Sequence, residues 1–299
     1  MYAIETEKLT KCYGTKRAAD GLDMHVPEGA VYALIGENGS GKSTAQKLIS
    51  GLIPKDGGTV RLYGKDVSDA GARSRIGVLI ESPGCYPGIS VYQNMRIHAD
   101  SLGMKNPDEE IARVLKLVRM EGAASNKFRN CSLGMKQRIG IAFALLGSPD
   151  LLILDEPLNG LDADGMRIMR DIVRDVTRNR GATVLISSHL LGELEKVATH
   201  YGIIRSGRML REMTADGLKK DCPVFVLIKT DDKGAAEAFL RQRGANCETA
   251  EDGIRVRGMS PEDAVMALYD AGIPVRGVST ERIGLEEYYV GLMASGRAS

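Results

Sequence analysis

Neither charge is in excess: 40 basic and 39 acidic side chains leave a formal net charge of +1. A nucleic-acid binder ordinarily shows a clear basic excess or patch, so that class finds no support. No apolar run approaches the roughly 18 residues of a membrane-spanning helix, and none is expected. The opening, MYAIETEKLTKCYG, lacks a basic start followed by an apolar core, so no secretory leader is expected there. The five cysteines are Cys12, Cys85, Cys131, Cys222 and Cys247. They form no C-x-x-C pair and are odd in number, which points to a reducing cytosol and away from a disulfide framework or zinc site. The four histidines are scattered, which argues against a metal cluster.

What is present suits a folded protein of one large or two ordinary domains: 299 residues, 43% hydrophobic and 26% charged. Short apolar runs alternate with glycine-rich punctuation to about residue 215. Val31 to Ile35 stops at Gly36, Leu151 to Leu154 stops at Asp155, and Val184 to Ile186 stops near Ser187. Each reads as a buried strand running into a loop. Helical stretches lie between them. Ser43 to Ser50 is one; Met166, Ile168, Met169, Ile172, Val173 and Val176 recur at helical spacing in another. Strands alternating with helices imply a mainly parallel sheet, with ligands at the carboxyl ends of the strands.

Residues 84 to about 147 read as a helical insertion without strands. The character changes again between Asp216 and Pro223. Beyond it, Val224 to Ile228, Ile254 to Val256 and Val275 to Ser279 are strand-like. Helices are expected at Gly234 to Arg243, from Pro261 to Ala271 behind an N-cap at Ser260, and at Leu285 to Met293. The expected fold is therefore an α/β P-loop sheet with a helical subdomain over residues 1–217. A small α+β domain follows over 222–299, a ferredoxin-like arrangement being one candidate.

Residues 36 to 44 read GENGSGKST and fit G-x-x-x-x-G-K-[ST] between a strand and a helix. In such a loop Gly36, Asn38, Gly39 and Gly41 let backbone N–H groups surround phosphates. The helix that follows points its positive end at the same anion. Lys42 is expected to reach the β- and γ-phosphates, Ser43 to ligand Mg²⁺ and Thr44 to contact the α-phosphate. The loop alone names no reaction, since kinases, GTPases and motors share it. The second element is LLILDEP at 151 to 157. An Asp at such a strand end holds Mg²⁺, usually through water, and the adjacent Glu can serve as a general base; these are Asp155 and Glu156.

These residues carry a family resemblance: residues 1 to about 215 resemble the nucleotide-binding subunit of an ABC transporter. CSLGMKQR at 131 to 138 is similar to the signature motif, NGLD at 159 to 162 to the D-loop, and His189 to the switch histidine. Tyr13 stands where the family stacks an aromatic on adenine. The resemblance implies a dimer with two ATP molecules sandwiched between subunits. Ser132 and Gly134 would then face the γ-phosphate held by the other copy. Asp162 would connect the two sites, besides serving as a candidate helix N-cap. His189 would hold the γ-phosphate and water in line. The implied partners are a second ATP-binding subunit, identical or paralogous, and a multi-span permease. The implied location is the cytoplasmic face of a bacterial membrane, as a peripheral protein.

Two departures narrow the resemblance. After IGVLI the family's usual Gln is Glu81, which adds a full negative charge beside a triphosphate. Only the cation and Lys42 are expected to offset it. As a metal or ATP contact, Glu81 thus differs in kind from the neutral residue. In the signature, Leu133 and Met135 replace the usual Gly and Gln, while Ser132 and Gly134 are kept. Together these features resemble the bacitracin- and lantibiotic-type branch, whose members export or exclude peptide antibiotics. By the same resemblance residues 82 to about 100 receive the permease, with Tyr86, Pro87 and Ile89 as candidate contacts; internal packing is the competing reading. The second class kept open is a soluble ABC-type ATPase of translation or repair, although those typically carry two cassettes or a long coiled coil. Glu286, Glu287, Tyr288 and Tyr289 cluster near the C-terminus; a solvated helix face is the expected account, a regulatory or dimer-stabilising role the alternative.

Overall fold

The computed structural model describes residues 1–295 and divides them into two compact units, Met1–Ala215 and the residues from Asp216 onward. The first unit opens with β1 (Tyr2–Tyr13), β2 (Lys16–Pro27), β3 (Val31–Ile35) and α1 (Lys42–Ile49). Next come β4 (Gly57–Leu62), β5 (Lys65–Asp66), α2 (Ala70–Arg73) and β6 (Ile76–Leu79). Three helices follow, α3 (Val91–Ser101), α4 (Pro107–Leu117) and α5 (Leu133–Leu145). The unit closes with β7 (Leu151–Leu154), α6 (Ala163–Arg180), β8 (Thr183–Ser187), α7 (Leu191–Glu195), β9 (His200–Arg205) and β10 (Arg208–Thr214).

The six-stranded sheet runs β10-β9-β3-β8-β7-β6. Its inner pairs are parallel and only the β9–β10 hairpin is antiparallel. VYALI, LLIL and TVLIS are buried throughout, as strands covered on both faces must be. A second sheet, order β2-β1-β4-β5, is fully antiparallel and was not expected from the sequence. The mainly parallel description therefore holds for one sheet of two. Between the sheets lies one core: Ile4, Leu22, Met24 and Val60 from the antiparallel side, Leu48 and Ile49 from α1, and Leu34, Ile153 and Leu185 from the parallel side. Each such side chain contributes roughly 1.5–3 kcal/mol by leaving water. That burial clamps α1, and with it the loop before α1, from both faces.

The helices carry their own punctuation. Ser90 and Gln93 form a reciprocal capping box at α3. Asp162 caps α6, whose inward residues Ile168, Met169, Ile172, Val173 and Val176 follow the helical period; Gly181 ends it with a left-handed turn. No strand lies between residues 84 and 147, where α3 to α5 pack together.

The second unit begins in α8 (Ala215–Asp221), which straddles the division. It continues with β11 (Val224–Lys229), α9 (Lys233–Gln242), β12 (Asn246–Ala250), β13 (Gly253–Arg257), α10 (Pro261–Asp270), β14 (Gly277–Arg282) and α11 (Leu285–Ser295). The sheet order β12-β13-β11-β14 is antiparallel throughout, which is the βαββαβ ferredoxin-like arrangement. Its own core joins Val226, Ile228, Ile254 and Val256 to Ala236 and Leu240 of α9 and to Ala264 and Leu268 of α10. The strand β12 was missed by the sequence reading.

Candidate functional site

Four parallel strands, β3, β6, β7 and β8, end at the same edge of the sheet, in register at Leu34↔Ser187, Leu154↔Ile186 and Leu79↔Leu154. From these ends come Gly36–Thr44, Glu81, Asp155–Glu156 and Ser187–His189. The loop after β3 closes on itself. Lys42 is buried, and its Nζ donates to the carbonyls of Gly36 at 2.7 Å and Glu37 at 3.2 Å. This places a cation at the middle of a ring of backbone amides. Gly41 has φ +109, and a Cβ there would sit 2.3 Å from the Ala18 carbonyl oxygen. Only glycine fits that position. Buried Ser40 Oγ and Gln46 Oε1 have no protein partner, so the loop and its helix retain unused polar capacity.

Asp155 is buried, and Ser187 Oγ donates to its Oδ1 at 2.6 Å. Glu156 takes a left-handed backbone, φ +48, rare for a residue with a side chain. Ser187 enforces it, accepting the Glu156 N–H on both its Oγ (3.0 Å) and its carbonyl (3.2 Å). The strained turn aims the carboxylate sideways. Its Oε1 lies 3.9 Å from Lys42 Nζ, and its Oε2 lies 2.9 Å from His189 Nδ1 and accepts the His189 N–H at 3.2 Å. Lys16, Asn38, Gly39, Gly41, Lys42, Ser43, Thr44 and Glu156 line one cleft. Lys16 is a second cation there that the sequence reading missed.

The oxygen donors at this edge, the Ser43 hydroxyl and the Asp155 carboxylate, are those a hard dication prefers. Among the described residues no group of three or more His, Cys, Asp or Glu forms a metal cage. Mg²⁺ is ordinarily held by one or two carboxylates together with substrate phosphates, and this sparse donor set fits that habit.

The remaining expected residues stand elsewhere. Tyr13 ends β1 with its ring half exposed and Lys11 Nζ 5.7 Å from the ring centroid. Ser132 caps α5, accepting the Met135 N–H at 3.2 Å. Gly134 lies against Gly160, whose own Cβ would run into Leu133 at 2.5 Å, so the signature turn and the 159–162 turn pack on each other. Asp162 Oδ1 accepts the Gly165 N–H at 2.8 Å, so the capping role weighed for it is realised. Ser132, Gly134 and Asp162 do not line the Lys42 cleft of their own chain. Gln137, in the signature helix, donates to the Glu156 carbonyl at 3.4 Å, a tie that spacing did not reveal.

Glu81 requires a correction. The sequence left only a cation and Lys42 to offset its charge, but Lys47 Nζ of α1 lies 2.5 Å from Glu81 Oε1. The hydrogen bond to Glu81 holds the Lys47 ammonium above its ordinary pKa. Glu81 itself has φ +64.

The fold and cleft define a P-loop nucleotide-binding cassette. The ABC transporter family model matches residues 19–159. The bacitracin transport ATP-binding protein BcrA of Bacillus licheniformis is 35% identical over 302 aligned residues, 98% of either chain. The lantibiotic transport ATP-binding protein SrtF of Streptococcus pyogenes is 40% identical over 72% of this chain and 92% of its own. A solved ATP-binding subunit of an ABC transporter superposes with a TM-score of 0.65 at 26% identity, covering 89% of this chain and 99% of that one. A dimeric cassette solved with ADP and phosphate shares the fold, TM-score 0.66 at 21% identity over 71% of this chain and 98% of that one. The chain belongs to the family of ABC-transporter ATP-binding proteins. No described helix is long and apolar enough to cross a membrane.

Proposed function

We propose that the chain hydrolyses ATP to drive a separate multi-span permease, working in a head-to-tail pair at the cytoplasmic face of a bacterial membrane. The observation that carries this reading is the Glu156 carboxylate, set in a strained turn between Lys42 and His189. The backbone of residues 36–44 and Lys42 bind the triphosphate; Tyr13 offers a face to the adenine. Glu156 takes the proton of the attacking water, His189 orients that water and the γ-phosphate, and the bond to the β-phosphate oxygen breaks to leave ADP and phosphate. Ser43 and Asp155 are the residues that would hold Mg²⁺, which when bound neutralises charge on the phosphates. Ser132 and Gly134 lie outside their own cleft, so the signature helix serves the nucleotide of a second copy. ATP is then the glue of the pair, and its loss opens the pair.

The permease face is a groove lined by Leu52, Pro83, Tyr86, Ile97, His98 and Phe143. Tyr86, Ile97 and Leu52 are exposed. Asn94 brackets the Tyr86 backbone, accepting its N–H at 2.7 Å and donating to its carbonyl at 3.0 Å. Pro87 is exposed too, whereas Ile89 is half buried and its carbonyl accepts the Phe128 N–H. Tyr86 and Pro87 are therefore the contacts, with Ile89 mainly a packing residue. Peptide antibiotics are the proposed cargo class, in export or immunity, because bacitracin transport proteins are among the relatives that match along nearly all of the chain. Those relatives also favour transport over a role in translation or repair.

Glu156→Gln tests the motor. The variant is expected to retain ATP, to hydrolyse it at least ~100-fold more slowly, and to elute as a dimer when ATP is present. Hydrolysis at the parental rate removes Glu156 as the base.

A further inference from the structure

Glu81 and Lys47 form an ion pair at the edge where the strand ends converge. Glu81 leaves β6 in a left-handed turn, and β6 lies in register with β7, which delivers Asp155. Lys47 lies on α1, the helix that begins at Lys42. The pair is not locked by packing: the Glu81 side chain is 68% exposed and that of Lys47 28%. Exposed pairs of this kind are weak and open readily. A bare carboxylate here would repel a triphosphate, and a bare ammonium would attract one; joined, they do neither strongly. Glu81 is also an oxygen ligand of the kind a hard dication takes, and the same oxygen cannot serve Lys47 and the ion fully at once.

We propose that Lys47 is a positioning residue that holds the Glu81 carboxylate until magnesium-ATP competes for it. The inference rests on the reading of the cleft as a magnesium-ATP site. Glu81 is then in one of two places, on Lys47 or toward the metal.

The test titrates Mg²⁺ into the full-length chain holding a fluorescent ATP analogue and reads the midpoint of the magnesium-dependent signal. Lys47→Met is expected to lower that midpoint about threefold, the size of one exposed ion pair, because Glu81 is released. Lys47→Arg is expected to keep the parental midpoint, which a loss of α1 packing would not explain. In the Glu81→Gln background Lys47→Met is expected to leave the midpoint unchanged. Equal shifts in both backgrounds would mean that Lys47 acts on the nucleotide directly, and no shift in either would mean that the pair is idle; both overturn the inference. A parental chain that binds the analogue with no magnesium dependence overturns the metal-site reading itself, a separate result. Thermal unfolding of each variant identifies any that has lost its fold.

Discussion

The two units differ in backbone strain. In the first, seven non-glycine residues hold a positive φ, Glu81 and Glu156 among them, and Ser40 and Gln46 carry buried polar atoms with no partner. Among the described residues of the second, no non-glycine residue holds a positive φ. Charges pair in both units: Arg75 with Asp150 and Arg170 with Glu193 in the first, Arg255 with Glu248, Glu281 and Glu287 and Arg276 with Asp231 in the second. Strain persists only where surrounding structure enforces it, and it collects where a side chain must be aimed. Of those seven residues, Glu81 and Glu156 leave the strand ends that carry the site. SrtF matches over 72% of this chain and BcrA over 98%.

The sharpest way to break that contrast is Gly41→Ala. The added methyl would meet the Ala18 carbonyl at 2.3 Å in a backbone at φ +109. The loop must shift, at a cost of about 1–3 kcal/mol in stability, and its amides leave the phosphates. Nucleotide binding, read by calorimetry, is expected to disappear at micromolar protein. Retained affinity would show that the loop tolerates distortion and that strain and chemistry are not linked there.

How much of this was legible depended on distance along the chain. The phosphate loop, Asp155–Glu156 and the caps at Asp162 and Ser260 are local patterns, and each stands where its neighbours direct it. The antiparallel sheet was missed because β1 and β2 break the two-residue alternation. Their pairing shifts register between Thr6 and Leu9 and again before Lys11 and Cys12, so inward residues do not recur evenly. The strand β12, NCETA, pairs with β13 alone and buries chiefly Cys247, too little apolar content to register as a strand. Lys47 and Gln137 were missed for another reason. Their partners, Glu81 and the Glu156 carbonyl, are far away in sequence, and only the fold brings them together.

A middle-sized test works on the other unit. Ile228 is fully buried in the core of the βαββαβ sheet. Ile228→Ala is expected to cost about 3 kcal/mol in unfolding free energy by denaturant titration. Nucleotide affinity is expected to stay at the parental value, since each unit has its own core. A matching fall in affinity would make the second unit part of the nucleotide site and cancel the contrast.

The smallest effect discriminates most finely, because it compares like with like. Asp162 and Ser260 both cap helices: Asp162 Oδ1 accepts the Gly165 N–H at 2.8 Å, and Ser260 Oγ accepts the Asp263 N–H at 3.1 Å. Asp162→Ala and Ser260→Ala should each cost about 1 kcal/mol. If the first unit alone performs chemistry, only Asp162→Ala also slows ATP turnover. Asp162→Ser separates the two roles of that residue, since a hydroxyl keeps the cap and removes the charge. Parental turnover in Asp162→Ser would reduce Asp162 to a helix cap equivalent to Ser260. Slowed turnover with stability restored would assign the carboxylate its own part in coupling the two sites of the pair.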